Sequence, residues 1–72
     1  MNNIKIHTEY ITLGQLLKLL SLVSSGGEVK HFLSHNKVMI NDEFDNRRGK
    51  KLYPNDRVKI LDKTYKIVQN EN

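Results

Sequence analysis

The apolar positions near the start of the chain follow two different spacings. Ile4, Ile6 and Thr8 alternate with polar residues, which is typical of a half-buried strand. The next apolar residues instead recur at the three- and four-residue spacing of a helix: Leu13, Leu16, Leu17, Leu20 and Val23. The pattern therefore predicts a short first strand, followed by a helix whose apolar stripe faces the core.

Capping residues indicate where two helices begin. Thr12 and Gln15 have the spacing of a capping box, so the first helix is predicted to begin at Leu13. Ser25 and Glu28 repeat that spacing after a break in the apolar pattern, and they predict the start of a second helix. The two predicted helices are nearly contiguous in the chain.

The second helix is predicted to bury one edge and to end near Asn36. The residues expected in the core are Val29, Phe32 and Leu33. The residues expected at more exposed positions are Lys30, His31, Ser34 and His35.

A hairpin is predicted shortly after the second helix. Val38–Ile40 is an apolar run typical of a strand, and Asn41 with Asp42 can adopt the positive φ angles of a tight turn. The chain is therefore predicted to pair back through Glu43 and Phe44.

A second hairpin is predicted near the end of the chain. Residues 57–61 and 64–68 alternate between apolar and polar side chains, and Asp62 with Lys63 forms the predicted turn between them. The last four residues are polar and are predicted to be frayed. Together these elements predict an α+β fold in which two short N-terminal helices pack on a small, mainly antiparallel, twisted sheet.

Length and composition narrow the possible function classes. The chain has 72 residues, enough for one core, so residues 1–72 are expected to form a single domain. It has no cysteine, which excludes a disulfide framework and a thiolate metal site. The most apolar stretch, residues 11–23, is too short to cross a bilayer, and the first residues lack the pattern of a signal peptide. The protein is therefore expected in the cytoplasm.

Basic side chains outnumber acidic ones by 12 to 8, and the net charge of +4 favours a polyanionic partner. Four of the 12 cations lie within residues 46–52, which we call the basic loop. Its candidate phosphate-binding residues are Asn46, Arg47, Arg48, Lys50 and Lys51. The alternative is a solvated loop whose charge is balanced by the nearby carboxylates of Asp42, Glu43 and Asp45.

The start of the second helix is another candidate for phosphate binding. Ser25, Gly26 and Gly27 would expose backbone N–H groups there, at the positive end of the helix dipole. The carboxylate of Glu28 already serves that end, so capping without a ligand is the alternative.

The exposed face of the second helix would extend this surface. Lys30, His31 and Lys37 lie at spacings that let cationic side chains follow a phosphate backbone along the helix. An ordinary solvated helix face is the competing interpretation.

The sequence contains no recognisable catalytic or metal-binding set. His31 and His35 have the spacing that lets two imidazoles share a metal ion, but a third ligand is not evident. Ser24 and Ser25 lack a neighbouring pattern of histidine and carboxylate. No enzymatic activity, metal or cofactor is therefore expected.

Four segments between Ile11 and Ile60 match a known domain pattern. They are residues 16–17 in the first predicted helix, 25–33 in the second, 37–42 at the first strand and turn, and 54–60 in the later strand. In this order they resemble the RNA-binding domain named after ribosomal small-subunit protein four, also called the alpha-L motif, with a core of about residues 11–60. Residues 12–18, 24–28 and 46–52 also resemble its small stand-alone bacterial subfamily labelled YaaA.

This resemblance implies a non-catalytic module that grips the backbone of structured RNA, with ribosomal RNA or a ribosomal particle as the first target class. Many family members carry an Arg at the start of each helix, where this chain has residues 12–14 and Gly26 with Gly27. The expected RNA contacts therefore shift towards the basic loop. A monomer without membrane association is expected, and DNA binding or a protein-interaction adaptor are the alternatives.

Overall fold

The computed structural model describes residues 2–70. Within this range the chain forms, in order, β1 (Asn2–Ile6), β2 (Ile11–Thr12), α1 (Leu13–Leu19), α2 (Gly26–His35), β3 (Val38–Ile40), β4 (Glu43–Phe44), β5 (Lys51–Leu52), β6 (Arg57–Ile60) and β7 (Lys63–Gln69). The predicted α+β class and the mainly antiparallel sheet are confirmed. The two helices follow β1 and β2 and precede the other strands.

The main sheet brings the two ends of the described chain together. Its strand order is β1-β7-β6-β3-β4, and neighbouring strands are antiparallel except for β1 and β7, which are parallel. β2 and β5 form a separate two-stranded antiparallel sheet in which Thr12 lies opposite Lys51. Both predicted hairpins are confirmed, as β3 with β4 and β6 with β7, whereas the pairings of β1 with β7 and β2 with β5 were not predicted.

The turn of the second hairpin lies one residue earlier than predicted. Leu61 and Asp62 have the positive φ angles of 50° and 67°, whereas Lys63 pairs with Ile60 across the strands. Two consecutive residues at positive φ form the tight turn that closes such a hairpin. Hydrogen bonds at its other end keep the same register: the amide of Ile67 donates to the carbonyl of Asp56, and the Ile67 carbonyl accepts from the Asn55 amide. The first hairpin turns at Asn41 and Asp42, as predicted.

The prediction that the last four residues are frayed is wrong for Gln69 and Asn70. Gln69 ends β7, and its side-chain amide donates to the Ile6 carbonyl at 3.1 Å. The Asn70 backbone amide donates to the same carbonyl at 2.9 Å. The parallel pairing of β7 with β1 fixes these polar residues, and the sequence pattern gave no sign of it. Residues 71–72 lie outside the described range.

The first helix is shorter than its apolar stripe suggested, because it ends at Leu19. Ser21 adopts a φ of 61°, and the Leu22 amide donates to the Leu17 carbonyl at 3.0 Å. This hydrogen bond and the left-handed residue before it form the Schellman closure that ends many helices. Val23 is nevertheless buried, as a residue of the connection between the helices.

One cluster of buried apolar residues joins both helices to the main sheet within residues 2–70. α1 contributes Leu13, Leu16 and Leu17, and α2 contributes Val29 and Leu33. The strands contribute Ile6, Val38, Ile40, Val58, Ile60, Tyr65 and Ile67. Phe32, predicted in the core, is half-buried against this cluster.

The basic loop is attached to the start of α1 through the backbone. The amides of Leu13 and Gly14 donate to the carbonyls of Lys50 and Arg48, each at 2.9 Å. The next amide of the helix donates to the Thr12 hydroxyl, completing the predicted capping box. A Cβ atom at Gly14 would lie 3.3 Å from the Arg48 carbonyl oxygen, so a glycine permits this close approach.

We expect Gly14→Val to destabilise the protein by about 1–3 kcal/mol, because the added carbons would push against the Arg48 carbonyl and Val29. Gly27→Val is the matched control, since a Cβ atom there would meet nothing within 4 Å. That control should change stability by no more than about 0.5 kcal/mol. Urea unfolding of both variants measures the difference, and equal free energies of unfolding would show that the loop does not press on Gly14.

Candidate nucleic-acid interface

A groove joins the basic loop to the exposed face of α2. We call it the helix groove; its volume is about 400 Å³, and its lining includes Lys30 and Ser34 of α2 and Asn46 and Arg48 of the loop. The two regions that the sequence singled out separately therefore form one surface. It combines cationic groups with a polar amide and a hydroxyl, all of which can contact phosphate oxygens.

A second groove lies between the starts of both helices and the loop. We call it the N-terminal groove; it has a volume of about 300 Å³ and is lined in part by Lys18, Gly26, Arg48 and Gly49. A Cβ atom at Gly26 or Gly49 would meet nothing within 4 Å, so the backbone is open at both positions. Arg48 lines both grooves and is therefore the central cation of the surface.

One of the four loop cations is already paired. The Arg47 guanidinium donates to the Asp45 carboxylate, with 2.7 Å between Nη2 and Oδ2, and the Arg47 amide donates to Oδ1 at 2.9 Å. The side-chain hydrogen bond from Arg47 lowers the pKa of Asp45, and that same bond raises the pKa of Arg47. For Arg47, the alternative in which a nearby carboxylate balances the loop charge therefore holds.

The other nearby carboxylates do not balance the loop in the same way. Asp42 pairs with Arg57 at 3.6 Å, outside the loop. Among residues 2–70, no carboxylate lies within ion-pair distance of Arg48, Lys50 or Lys51. None of these three cations is held in an ion pair, although Lys50 lies near enough to Asp45 to help lower the pKa of that carboxyl.

At the start of α2, only one half of the predicted capping box is present. The Ser25 hydroxyl accepts from the Glu28 amide, but the Glu28 carboxylate accepts from the amide and hydroxyl of Ser24. These hydrogen bonds from Ser24 lower the pKa of Glu28. Both Gly26 and Gly27 are exposed, with open space where a side chain would be.

The expected row of cations along α2 is divided. Lys30 lines the helix groove, whereas Lys37 lies with its ammonium group 5.9 Å from the centre of the Phe44 ring and lines a different groove with Lys59. The chain leaves α2 after His35 for strand β3, so Lys37 no longer follows the helical spacing. Lys30 and Lys37 therefore do not share one groove.

His31 and His35 contact each other rather than the loop. Their ring centroids lie 4.3 Å apart, and Nδ1 of His35 lies 3.0 Å from the Ser34 hydroxyl oxygen. Within residues 2–70, no group of three potential ligands lies close enough together to hold a metal ion.

In the same range, no helix combines the length and apolar character needed to span a membrane.

An aromatic pair beside the basic loop was missed by the sequence interpretation. The rings of Tyr10 and Tyr53 lie 5.6 Å apart, and the ammonium group of Lys51 lies 5.0 Å from the centre of the Tyr10 ring. Tyr53 directly follows the loop, which was a signal visible in the sequence. The position of Tyr10 depends on the pairing of β2 with β5, which the sequence pattern did not show.

The comparisons with known proteins agree with the resemblance seen in the sequence. The S4 domain family model matches residues 4–68, which include every strand and helix that lines the grooves. A protein of Bacillus subtilis (strain 168) named "Probable ribosome maturation protein RlbA" is 59% identical over 59 residues, which cover 82% of this chain and 83% of that protein. Because the family match spans most of the chain, the protein belongs to the S4 domain family.

Proposed function

We propose that this protein is a non-catalytic, cytoplasmic RNA-binding module that grips the backbone of structured RNA through the basic loop and the face of α2. The observation that supports this proposal most is the position of Arg48, which lines both the helix groove and the N-terminal groove. Ribosomal RNA or a ribosomal particle is the proposed target, because the similar Bacillus protein is named as a probable ribosome maturation protein.

The charges favour backbone contacts over base recognition. Arg48, Lys50 and Lys51 are free to pair with phosphates, and each such contact releases condensed counterions from the RNA. A-form RNA has a deep, narrow major groove that side chains cannot read, so recognition by charge and shape is the expected mode.

The fixed position of the loop favours binding further. Its backbone is held by hydrogen bonds from Leu13 and Gly14, so fewer conformations are lost when RNA binds. The open backbone at Gly26 and Gly49 leaves room for a phosphate to approach closely. We propose that Ser25 and Gly27 border this approach, and that Lys30 and Asn46 extend it along the helix groove.

We expect the quadruple variant Arg47/Arg48/Lys50/Lys51→Ala to bind a structured RNA hairpin more weakly and with a flatter dependence on salt. If the loop contacts about four phosphates, the log-log salt slope should flatten by roughly 3 units. The control variant Lys5/Lys59/Lys63/Lys66→Ala removes the same charge from β1, β6 and β7 and should keep most of the slope. Fluorescence anisotropy over a salt series provides the slopes.

The same titration separates the proposed function from its alternatives. A matched DNA duplex that binds as tightly as the RNA would indicate a general nucleic-acid binder. Equal flattening in both quadruple variants would show that net charge, and not the loop, attracts RNA. If wild type does not bind RNA at all, a protein-interaction adaptor becomes the better explanation.

Single substitutions should differ in their effect on RNA binding according to the surroundings of each cation. We expect Arg48→Ala to reduce the salt slope by about 1, as for loss of one phosphate contact. Arg47→Ala should have a smaller effect, because Asp45 already neutralises part of its charge. Lys30→Ala should weaken binding, whereas Lys37→Ala, in a different groove, should leave the dissociation constant nearly unchanged. An effect of Arg47→Ala as large as that of Arg48→Ala would contradict this ranking.

A further inference from the structure

Tyr53 is an exposed aromatic residue whose backbone is firmly held. Tyr53 is 41% exposed and directly follows Leu52, which is fully buried. The Tyr53 amide donates to the Asp56 carboxylate at 2.8 Å, and the Tyr53 carbonyl accepts from the Asp56 amide at 3.0 Å. The exposed position of Tyr53 is therefore a feature of the fold and does not arise from a loose segment.

Tyr53 and the basic loop form a third groove. Tyr53 lines a groove of about 460 Å³ together with Arg47, Gly49, Lys50 and Lys51. We call it the tyrosine groove. Gly49 lines both the tyrosine groove and the N-terminal groove, so these two grooves meet at the basic loop.

The half-buried Tyr10 packs against Tyr53. Their rings are tilted by 48°, and Lys51 lies over the Tyr10 ring, so Tyr10 already has two partners. Tyr53 is the member of the pair that lines the groove. Tyr53 is therefore the tyrosine of this pair that a ligand in the groove would meet.

We propose that Tyr53 is a stacking platform for one unpaired base of the bound RNA, whose adjoining phosphates lie against Lys50 and Lys51. This inference rests on the proposed function and adds the class of RNA: a structured element that carries an unpaired nucleotide beside its helix. Proteins recognise unstacked bases by stacking them on aromatic side chains, and they hold the flanking backbone with cations. The open backbone at Gly49 leaves space for the sugar and phosphate between the stacked base and the lysines.

The test compares a blunt RNA hairpin, whose strands are joined by a non-nucleotide linker so that no base is unpaired, with the same hairpin carrying a short single-stranded extension. For wild type, we expect the extension to tighten binding by about 5-fold or more, since stacking of one base has effects of that size. Tyr53→Phe keeps the ring and should keep this gain. Tyr53→Leu keeps apolar bulk against Tyr10 but removes the flat ring, and it should lose the gain while binding of the blunt hairpin persists.

Phe44→Leu is the matched control, because Phe44 is 54% exposed on β4 and does not line the tyrosine groove; the ammonium group of Lys37 lies over its ring instead. It should leave the gain from the extension intact. Thermal unfolding of each variant establishes that the fold persists.

The two levels of the proposal fail in different ways. If Tyr53→Leu retains the full gain, or weakens both RNAs equally, stacking is overturned while blunt-hairpin binding still supports the proposed function. If wild type gains nothing from the extension, stacking is likewise overturned. If wild type binds neither RNA, this result contradicts both the proposed function and the stacking inference.

Discussion

The attachment of the basic loop to the first turn of α1 is the constraint on which the proposed interface depends. The first amides of a helix have no partner within the helix, and Leu13 and Gly14 are both buried. A buried amide without a partner costs about 1–3 kcal/mol, so releasing the loop carbonyls of Arg48 and Lys50 would be expensive. The helix thus fixes the loop, and the loop completes the helix cap.

This attachment explains why cations that look alike in sequence differ in their surroundings. Arg48 is placed between the two helices, where it lines two grooves, whereas Arg47 points its guanidinium at Asp45. Lys51 is held in β5 over the ring of Tyr10. A fixed backbone therefore places a run of like charges in different surroundings.

Several local features of the fold could be predicted from the sequence, although the end of α1 and the turn of the second hairpin could not; contacts between distant segments could not be predicted. The start of α1 at Leu13 and the turn at Asn41 follow from capping and turn chemistry within a few residues. The approach of Lys30 to Arg48 and the position of Tyr10 depend on tertiary packing and on the pairing of β2 with β5. Such contacts join residues far apart in the chain, and local periodicity carries no information about them. For the same reason, the sequence pattern did not predict the hydrogen bond that holds Asn70 to Ile6.

The most direct test of the proposed interface is a titration of the isotopically labelled protein with a structured RNA hairpin, followed through its backbone amide signals. We expect the largest shifts in residues 46–51 and around Lys30 and Ser34, with smaller shifts at Leu13 and Gly14, whose amides bond to the loop. Shifts concentrated instead on strands β3 and β6 would contradict the interface and place RNA on the sheet.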